Sequence, residues 1–233
     1  MGRVRESTRK QNITKTKNVY VIVCEGWNKT EKKYFDNYKV NERNRNFIIQ
    51  VVPAKDTDPI NMLKKANGYV LKNNLNCDDG DRVYILIDVD EKDYKRNQID
   101  KVRREVEKLK YTLILSNPCF EVWYLNHFIF TARIFTNENI IDELSKHIKS
   151  YEKNKDYYSM LKSKTDTAIK NSICQEKIHN QLRKKWFDFN PSSDVYKIVE
   201  EISANRWLGH LFCVKNAIIK LWGDIMPELP EVE

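Results

Sequence analysis

The stretch VYVIVCEG, residues 19–26, runs six apolar residues directly into a carboxylate and a glycine. Its β-branched and aromatic content predicts a β-strand, and the unbroken apolar run predicts burial on both faces. Glu25 then stands where the strand ends, and Gly26 allows a sharp turn and a close approach of the backbone to a substrate phosphate. The stretch therefore predicts a buried strand whose carboxyl end belongs to a functional site.

Strands and helices alternate over the following hundred or so residues. Three further apolar segments are predicted strands: FIIQVVP (47–53), RVYILIDVD (82–90) and YTLILS (111–116). The segments between and after them are predicted helices: 31–41, 58–73, 98–109 and one that carries FEVWYLNHF (120–128). Such alternation predicts an α/β fold with a parallel sheet and helices on both faces.

The strand pattern fades after residue 130. Helices are predicted there near 137–149, 153–163, 166–186, 194–205 and 208–222. The sequence thus divides into four predicted regions: a basic flexible arm (1–18), an α/β domain (19–130), a helical extension (131–225) and an acidic tail (226–233).

The composition bounds the class of protein. The 233 residues carry a net charge of +8, which favours polyanionic partners, with nucleic acid first and an anionic membrane surface second. The five cysteines include no CxxC pair, which argues against a disulfide framework or a zinc site. No apolar run approaches the length of a membrane span, and no hydrophobic signal stands at the N-terminus, so we expect a cytoplasmic protein without membrane contact.

Two of the predicted strands end in acidic residues. Glu25 ends the first, and Asp88 and Asp90 end the third within LIDVD. Residues two apart on a strand share a face, so both aspartates can point over one edge, and Glu25 joins them if the two strands are neighbours. Clustered carboxylates repel one another without a cation, and their hard oxygen atoms suit Mg²⁺ or Mn²⁺. The alternative is that these acids only cap helices or remain solvated in turns.

Three motifs in this order resemble the RloB-like family, which includes the abortive-infection protein AbiLii: CEGWNKTEKKYF (24–35), LIDVDEKD (86–93) and SNPCFEVWYLNHF (116–128). A strand ending in Glu-Gly and a later one ending in Asp-x-Asp also resemble the Toprim domain of topoisomerases, primases and several nucleases. The resemblance implies a Toprim-like α/β fold with a helical extension. It also implies a role in phage defence, often beside an ATPase sensor subunit; in the related PARIS system, the Toprim effector cleaves host tRNA.

The resemblance also implies roles for single residues. Glu25 would be the Toprim glutamate, usually assigned to acid/base work, and Asp88 and Asp90 would bind the metal. Glu31 matches a family position that could touch the metal, although a first-turn glutamate favoured by the helix dipole is an alternative that we prefer. No nucleotide-binding loop occurs in the chain, so any ATP-dependent sensing is expected of a partner.

The apolar segment 120–128 contains two further candidates. Glu121 needs a partner if it is buried, and its helix follows the fourth strand, so we count it as a catalytic candidate beside the site. His127 could serve as a general acid or base, but we prefer a core histidine.

The segment 151–187 holds nine Lys/Arg against four Asp/Glu, with tyrosine, tryptophan and phenylalanine interleaved. Basic side chains neutralise phosphates, and aromatic rings can stack on unpaired bases. The nucleic-acid-binding candidates are Lys164, Lys170, Lys184 and Lys185. The alternative is an ordinary solvated face whose aromatic residues belong to the core.

Together these features favour a metal-dependent nuclease acting on RNA, for example tRNA. A DNA endonuclease with the same site is one alternative. A non-catalytic partner that binds nucleic acid or an ATPase subunit is another. The sequence leaves a homo-oligomer open.

Overall fold

A five-stranded sheet lies at the centre of the computed structural model, which describes residues 17–26, 29–41, 47–55, 57–89 and 93–204. The strands are β1 (Asn18–Glu25), β2 (Phe47–Ala54), β3 (Arg82–Asp88), β4 (Thr112–Asn117) and β5 (Ser192–Ser193). Their order is β2-β1-β3-β4-β5. The first four strands are parallel and the short β5 pairs with β4 in the antiparallel sense.

Helices connect the strands and form about half of the described residues after residue 120. They are α1 (Thr30–Asn41), α2 (Pro59–Lys72), α3 (Asp93–Lys108), α4 (Glu121–Asn126), α5 (Asn137–Ser145), α6 (Tyr158–Leu161), α7 (Thr165–Gln181) and α8 (195–204). The predicted α/β architecture is therefore confirmed. Among the described residues, none of the helices has both the length and the apolar character to cross a bilayer.

Both faces of the sheet are buried, because successive residues of a strand point to opposite sides. In β1, Tyr20, Ile22 and Cys24 belong to one core, while Val21 and Val23 belong to the other. Helices α2 and α3 supply apolar residues to the second core. Helix α1 and the helices from α4 onward supply them to the first. This two-sided burial explains why the strands read as continuous apolar runs.

The boundaries of several predicted elements shift. The third strand ends at Asp88, not at residue 90, and the helix after it begins at Asp93, not near residue 98. The helix predicted from residue 153 begins only at Tyr158, because Asn154 adopts a left-handed conformation (φ 66°) that a helix cannot include. Helix α2 begins as its sequence predicts: the Asp58 carboxylate accepts the backbone N–H of Asn61 at 3.0 Å, with a proline in the first turn.

Several sequence predictions concern regions outside these ranges. They are the arm up to residue 16, Asp90, the helix predicted at 208–222 and the acidic tail. The boundary between the α/β domain and the helical extension, placed near residue 130, also stays a prediction.

Candidate functional site

Three carboxylates meet at the edge where the parallel strands end. One oxygen atom each of Glu25, Glu31 and Asp88 lies within 4.8 Å of the other two. Glu25 is the last residue of β1 and Asp88 the last of β3, and these strands are hydrogen-bonded neighbours. Glu31 lies in the first turn of α1.

The topology explains this convergence. Helix α1 begins a few residues after β1, so its first turn lies over the same sheet edge from which the strand exits. Gly26, with φ 45°, makes the turn away from the strand in a conformation that other residues rarely adopt. The condition on which the sequence prediction depended, adjacent first and third strands, is met in the structure.

Burial and mutual repulsion change the acidity of the cluster. Glu25 and Glu31 are each 5% exposed, and Asp88 is half-buried. Burial, together with the negative charges of Glu25 and Glu121, raises the pKa of Glu31 to about 8. Burial and the charges of Glu31, Glu25 and Glu121 hold the pKa of Asp88 well above its usual range. The cluster therefore retains protons near neutral pH unless a cation replaces them.

Two lysines partly balance Glu25. The Nζ of Lys95, from the first turn of α3, lies 3.5 Å from Oε1 of Glu25, and the Nζ of Lys29 lies 3.7 Å from Oε2. Lys95 is buried, whereas the side chain of Lys29 is 47% exposed. Sequence reasoning missed Lys95, because lysines are rarely buried and nothing in its sequence neighbourhood distinguishes it from a surface residue.

Glu121 lies beside the cluster and has fixed partners. Its Oε1 accepts hydrogen bonds from the Thr30 hydroxyl at 3.2 Å and the Tyr151 hydroxyl at 3.1 Å. The Nζ of Lys153 lies 3.9 Å from Oε2. The buried glutamate thus has the partners that its burial demands.

A cleft of about 130 Å³ joins Glu121 to the cluster. Its lining consists of Lys29, Thr30, Glu31, Asp88, Phe120, Glu121, Lys153 and Asn154. The cleft therefore has carboxylates on its walls and two ammonium groups at its mouth.

The donor set fits a hard divalent cation. Mg²⁺ binds oxygen atoms at about 2.1 Å, so opposite ligands of one ion stand about 4 Å apart. Neighbouring ligands stand about 3 Å apart. The three carboxylate oxygens, mutually within 4.8 Å, lie close to these spacings. Glu25, Glu31 and Asp88 would hold such an ion. Our preference for a purely helix-stabilising Glu31 did not anticipate this placement.

His127 lies within the aromatic core. It is 1% exposed, and its Nδ1 lies 2.8 Å from the carbonyl oxygen of Trp123. Burial lowers its pKa to about 4, which leaves the imidazole neutral near neutral pH. This placement agrees with the core histidine that the sequence favours.

The basic segment combines core residues with surface cations. Tyr151 and Tyr158 are buried, so these two rings are not open to bases. Lys164, Lys170 and Lys185 are exposed and Lys184 is half-buried. The Nζ of Lys164 lies 4.4 Å from the ring centre of Phe128. Contact between these four lysines and nucleic acid stays a prediction.

Comparison with known proteins identifies the family. The chain matches no curated protein and no solved structure. The family model described as RloB-like protein matches residues 20–202, a span that includes all of the sheet but the first two residues of β1, the carboxylate cluster and most of the helices that follow. The chain therefore belongs to the RloB-like family.

Proposed function

We propose that this protein is a divalent-metal-dependent nuclease that cleaves RNA, such as tRNA, as the effector of a phage-defence system. The observation that carries the proposal is the convergence of Glu25, Glu31 and Asp88 at the carboxyl edge of a parallel sheet. Open α/β sheets place their sites at this edge. Membership of the RloB-like family is consistent with a defence-associated protein.

The cluster would hold Mg²⁺ or Mn²⁺. Such a cation neutralises charge on a phosphate and activates the attacking oxygen. The protein's own contribution is to converge the carboxylates and keep them largely dry, which strengthens their attraction for a cation. Asp90, an expected metal ligand by family resemblance, follows β3 outside the described residues and stays part of the proposal.

The groups around the cluster suit a phosphodiester. Lys29 and Lys153, each with a side chain 47% exposed, lie at the mouth of the cleft, where they can pair with phosphate oxygens. Glu121 is held by Thr30 and Tyr151 in one position, as a group that accepts or donates a proton must be. Glu121 is therefore the proposed acid/base candidate beside the metal ligands.

The preference for a nucleic acid depends on charge, and the preference for RNA depends on the family resemblance. The net charge of +8 and the basic segment 151–187 favour a polyanion. An ATPase sensor subunit is the proposed partner, since the sequence lacks a nucleotide-binding loop of its own.

The test is a cleavage assay with total tRNA and supercoiled plasmid offered together, in Mg²⁺, Mn²⁺ or EDTA. Asp88→Asn keeps the shape of the side chain and removes its charge, and Asp166→Asn makes the same change on an exposed residue of α7. We expect metal-dependent cuts in tRNA that Asp88→Asn abolishes and Asp166→Asn retains.

Other outcomes would redirect the proposal. Metal-dependent cuts in plasmid alone would identify a DNA endonuclease. Intact RNA and plasmid, even with the neighbouring ATPase and ATP added, would contradict a nuclease and favour a binding subunit.

A further inference from the structure

Two cations are arranged over one aromatic ring on the α3 side of the sheet. The guanidinium carbon of Arg96 lies 5.2 Å from the ring centre of Phe187, and the Nζ of Lys185 lies 5.7 Å from it. The Trp186 and Phe187 rings are 5.5 Å apart, edge to face. Arg96 and Phe187 are half-buried and Lys185 is exposed. We call Arg96, Lys185 and Phe187 the cationic rim.

The rim is attached firmly to α3. The indole N–H of Trp186 donates to the carboxylate of Asp100 at 3.0 Å. The guanidinium carbon of Arg103 lies 5.0 Å from the centre of the Trp186 ring. Trp186 also packs against the core beneath that helix. The turn that carries Phe187 is thus held by several contacts and presents its cations at a defined place.

This place lies at the same carboxyl edge of the sheet as the carboxylate cluster. The side-chain amide of Asn117 donates to the carbonyl oxygen of Phe187 at 3.0 Å. Asn117 ends β4, and its predecessor Ser116 pairs with Asp88 across the ladder. Asn117 shares the α3 face of the sheet with Leu115, whereas Asp88 shares the opposite face with Leu86. Phe187 is therefore anchored at the end of the strand next to β3, on the α3 face.

Arg96, the half of the rim that comes from α3, is a sequence neighbour of a lysine that contacts the cluster. Arg96 directly follows Lys95, whose ammonium group lies 3.5 Å from Glu25. Both halves of the rim, one from α3 and one from the turn at Phe187, therefore lie at the carboxyl edge of the sheet on its α3 face.

The arrangement suits phosphates better than bases. Cations within about 6 Å of a ring centre occupy its faces, so the Phe187 ring is less available to stack on a base. Contacts to phosphates position a nucleic acid without reading its sequence. The rim is thus a surface for the backbone.

We propose that Arg96 and Lys185 bind the phosphate backbone of the RNA substrate next to the scissile position. The proposal extends the proposed function, since it names the surface that holds the substrate of the same site. Lys29 and Lys153 line the cleft beside the cluster on the α1 and α4 side, and the cationic rim lies on the α3 side of the same sheet edge. A strand that crosses the sheet edge would be held on both sides of Asp88.

The test measures binding apart from cleavage. Fluorescein-labelled tRNA and oligouridylate are titrated with protein in EDTA over a range of salt concentrations, by anisotropy. Arg96→Gln with Lys185→Gln removes two charges from the rim. The matched control, Lys101→Gln with Lys108→Gln, removes two exposed charges from another face of α3.

We expect the rim variant to bind both RNAs about 10- to 30-fold more weakly near 0.1 M salt, with the slope of log K against log salt reduced by about 1.4. The control is expected to stay within about threefold of the wild type, since it removes surface charge but no proposed contact with RNA. Should the rim variant unfold, Lys185→Gln alone, at an exposed side chain, is expected to weaken binding about fivefold.

Equal losses in the rim and control variants would overturn the inference, as would a wild-type protein that binds neither RNA. Cleavage is then assayed separately in Mg²⁺. Binding lost in the rim variant, with a wild type that cleaves nothing even with the neighbouring ATPase and ATP added, would support the rim as an RNA-binding surface while contradicting the proposed nuclease. If the rim variant binds as tightly as the wild type and still cleaves RNA, the inference is contradicted and the proposed nuclease is supported.

Discussion

The ammonium nitrogen of Lys95 lies 3.5 Å from Oε1 of Glu25, and the two side chains are only 4% and 7% exposed. A buried lysine thus faces the carboxylate that ends the first strand of the sheet. Desolvation offsets much of the attraction within such a pair, so it adds little net stability. Removing one partner is different, because it leaves a buried charge uncompensated.

Replacing Lys95 tests this balance. Lys95→Met keeps the apolar stem, and we expect it to lower the free energy of unfolding by about 3 kcal/mol in EDTA at neutral pH. Urea denaturation measures the difference. Lys108→Met, at an exposed position of the same helix, is expected to change the free energy by less than about 0.5 kcal/mol. Equal stability of the two variants would show that Lys95 does not compensate the cluster.

The raised pKa values predict how stability depends on pH. Folded Glu31 holds its proton up to a pKa of about 8, against an ordinary value of 4.5, so between these values the folded state binds more protons than the unfolded state. The free energy of unfolding of the metal-free protein therefore falls as the pH rises through this range, by at most about 1.4 kcal/mol per pH unit for each group. Asp88 acts in the same direction.

Glu31→Gln removes the Glu31 contribution. We expect the variant to lose less stability than the wild type between about pH 4.5 and 8, and to be the more stable of the two at the alkaline end. The measurement is urea denaturation in EDTA across that range, with Glu107→Gln on the exposed side of α3 as the control. Parallel curves for wild type and Glu31→Gln would contradict the raised pKa.

Two glycine substitutions test the turn that leads into the site. A Cβ on Gly26, whose φ is 45°, would lie 3.3 Å from Cγ of Lys29. Gly26→Ala is therefore expected to cost about 1–2 kcal/mol of stability. Gly68, within α2, has open space around it, so Gly68→Ala is expected to add about 0.5–1 kcal/mol. A Gly26→Ala variant at least as stable as the wild type in thermal unfolding would contradict the left-handed turn at Gly26.

Local patterns in the sequence predict much of the fold. The apolar runs of the four parallel strands and the Asp58-Pro59 start of α2 are local signals, and they place the elements within a few residues. The two-residue strand β5 carries no such signal, since it exists only through its pairing with β4. The helix predicted from residue 153 begins later than expected for a related reason. There, the backbone N–H of Glu152 bonds to the hydroxyl of Tyr157, and this loop lies over the site.

The sequence predicts only those site residues that stand at the ends of apolar strands. Glu25 and Asp88 are visible as acids that end apolar strands, and their proximity requires only that β1 and β3 be neighbours. Glu31, Lys95 and Tyr151 reach the site from three separate elements. Their burial is a tertiary property, because nothing in a first-turn glutamate or a lysine within a charged helix distinguishes it from a surface residue.

Mn²⁺ titration by calorimetry tests the central claim, that Glu25, Glu31 and Asp88 form a site for a divalent cation, most directly. Near neutral pH, in two buffers of different ionisation enthalpy, we predict saturable binding with release of protons, because the cation displaces those that the raised pKa values retain. Asp88→Asn is expected to lose this binding and Asp166→Asn to keep it. Absence of binding to the wild type, or equal binding by Asp88→Asn, would contradict the claim.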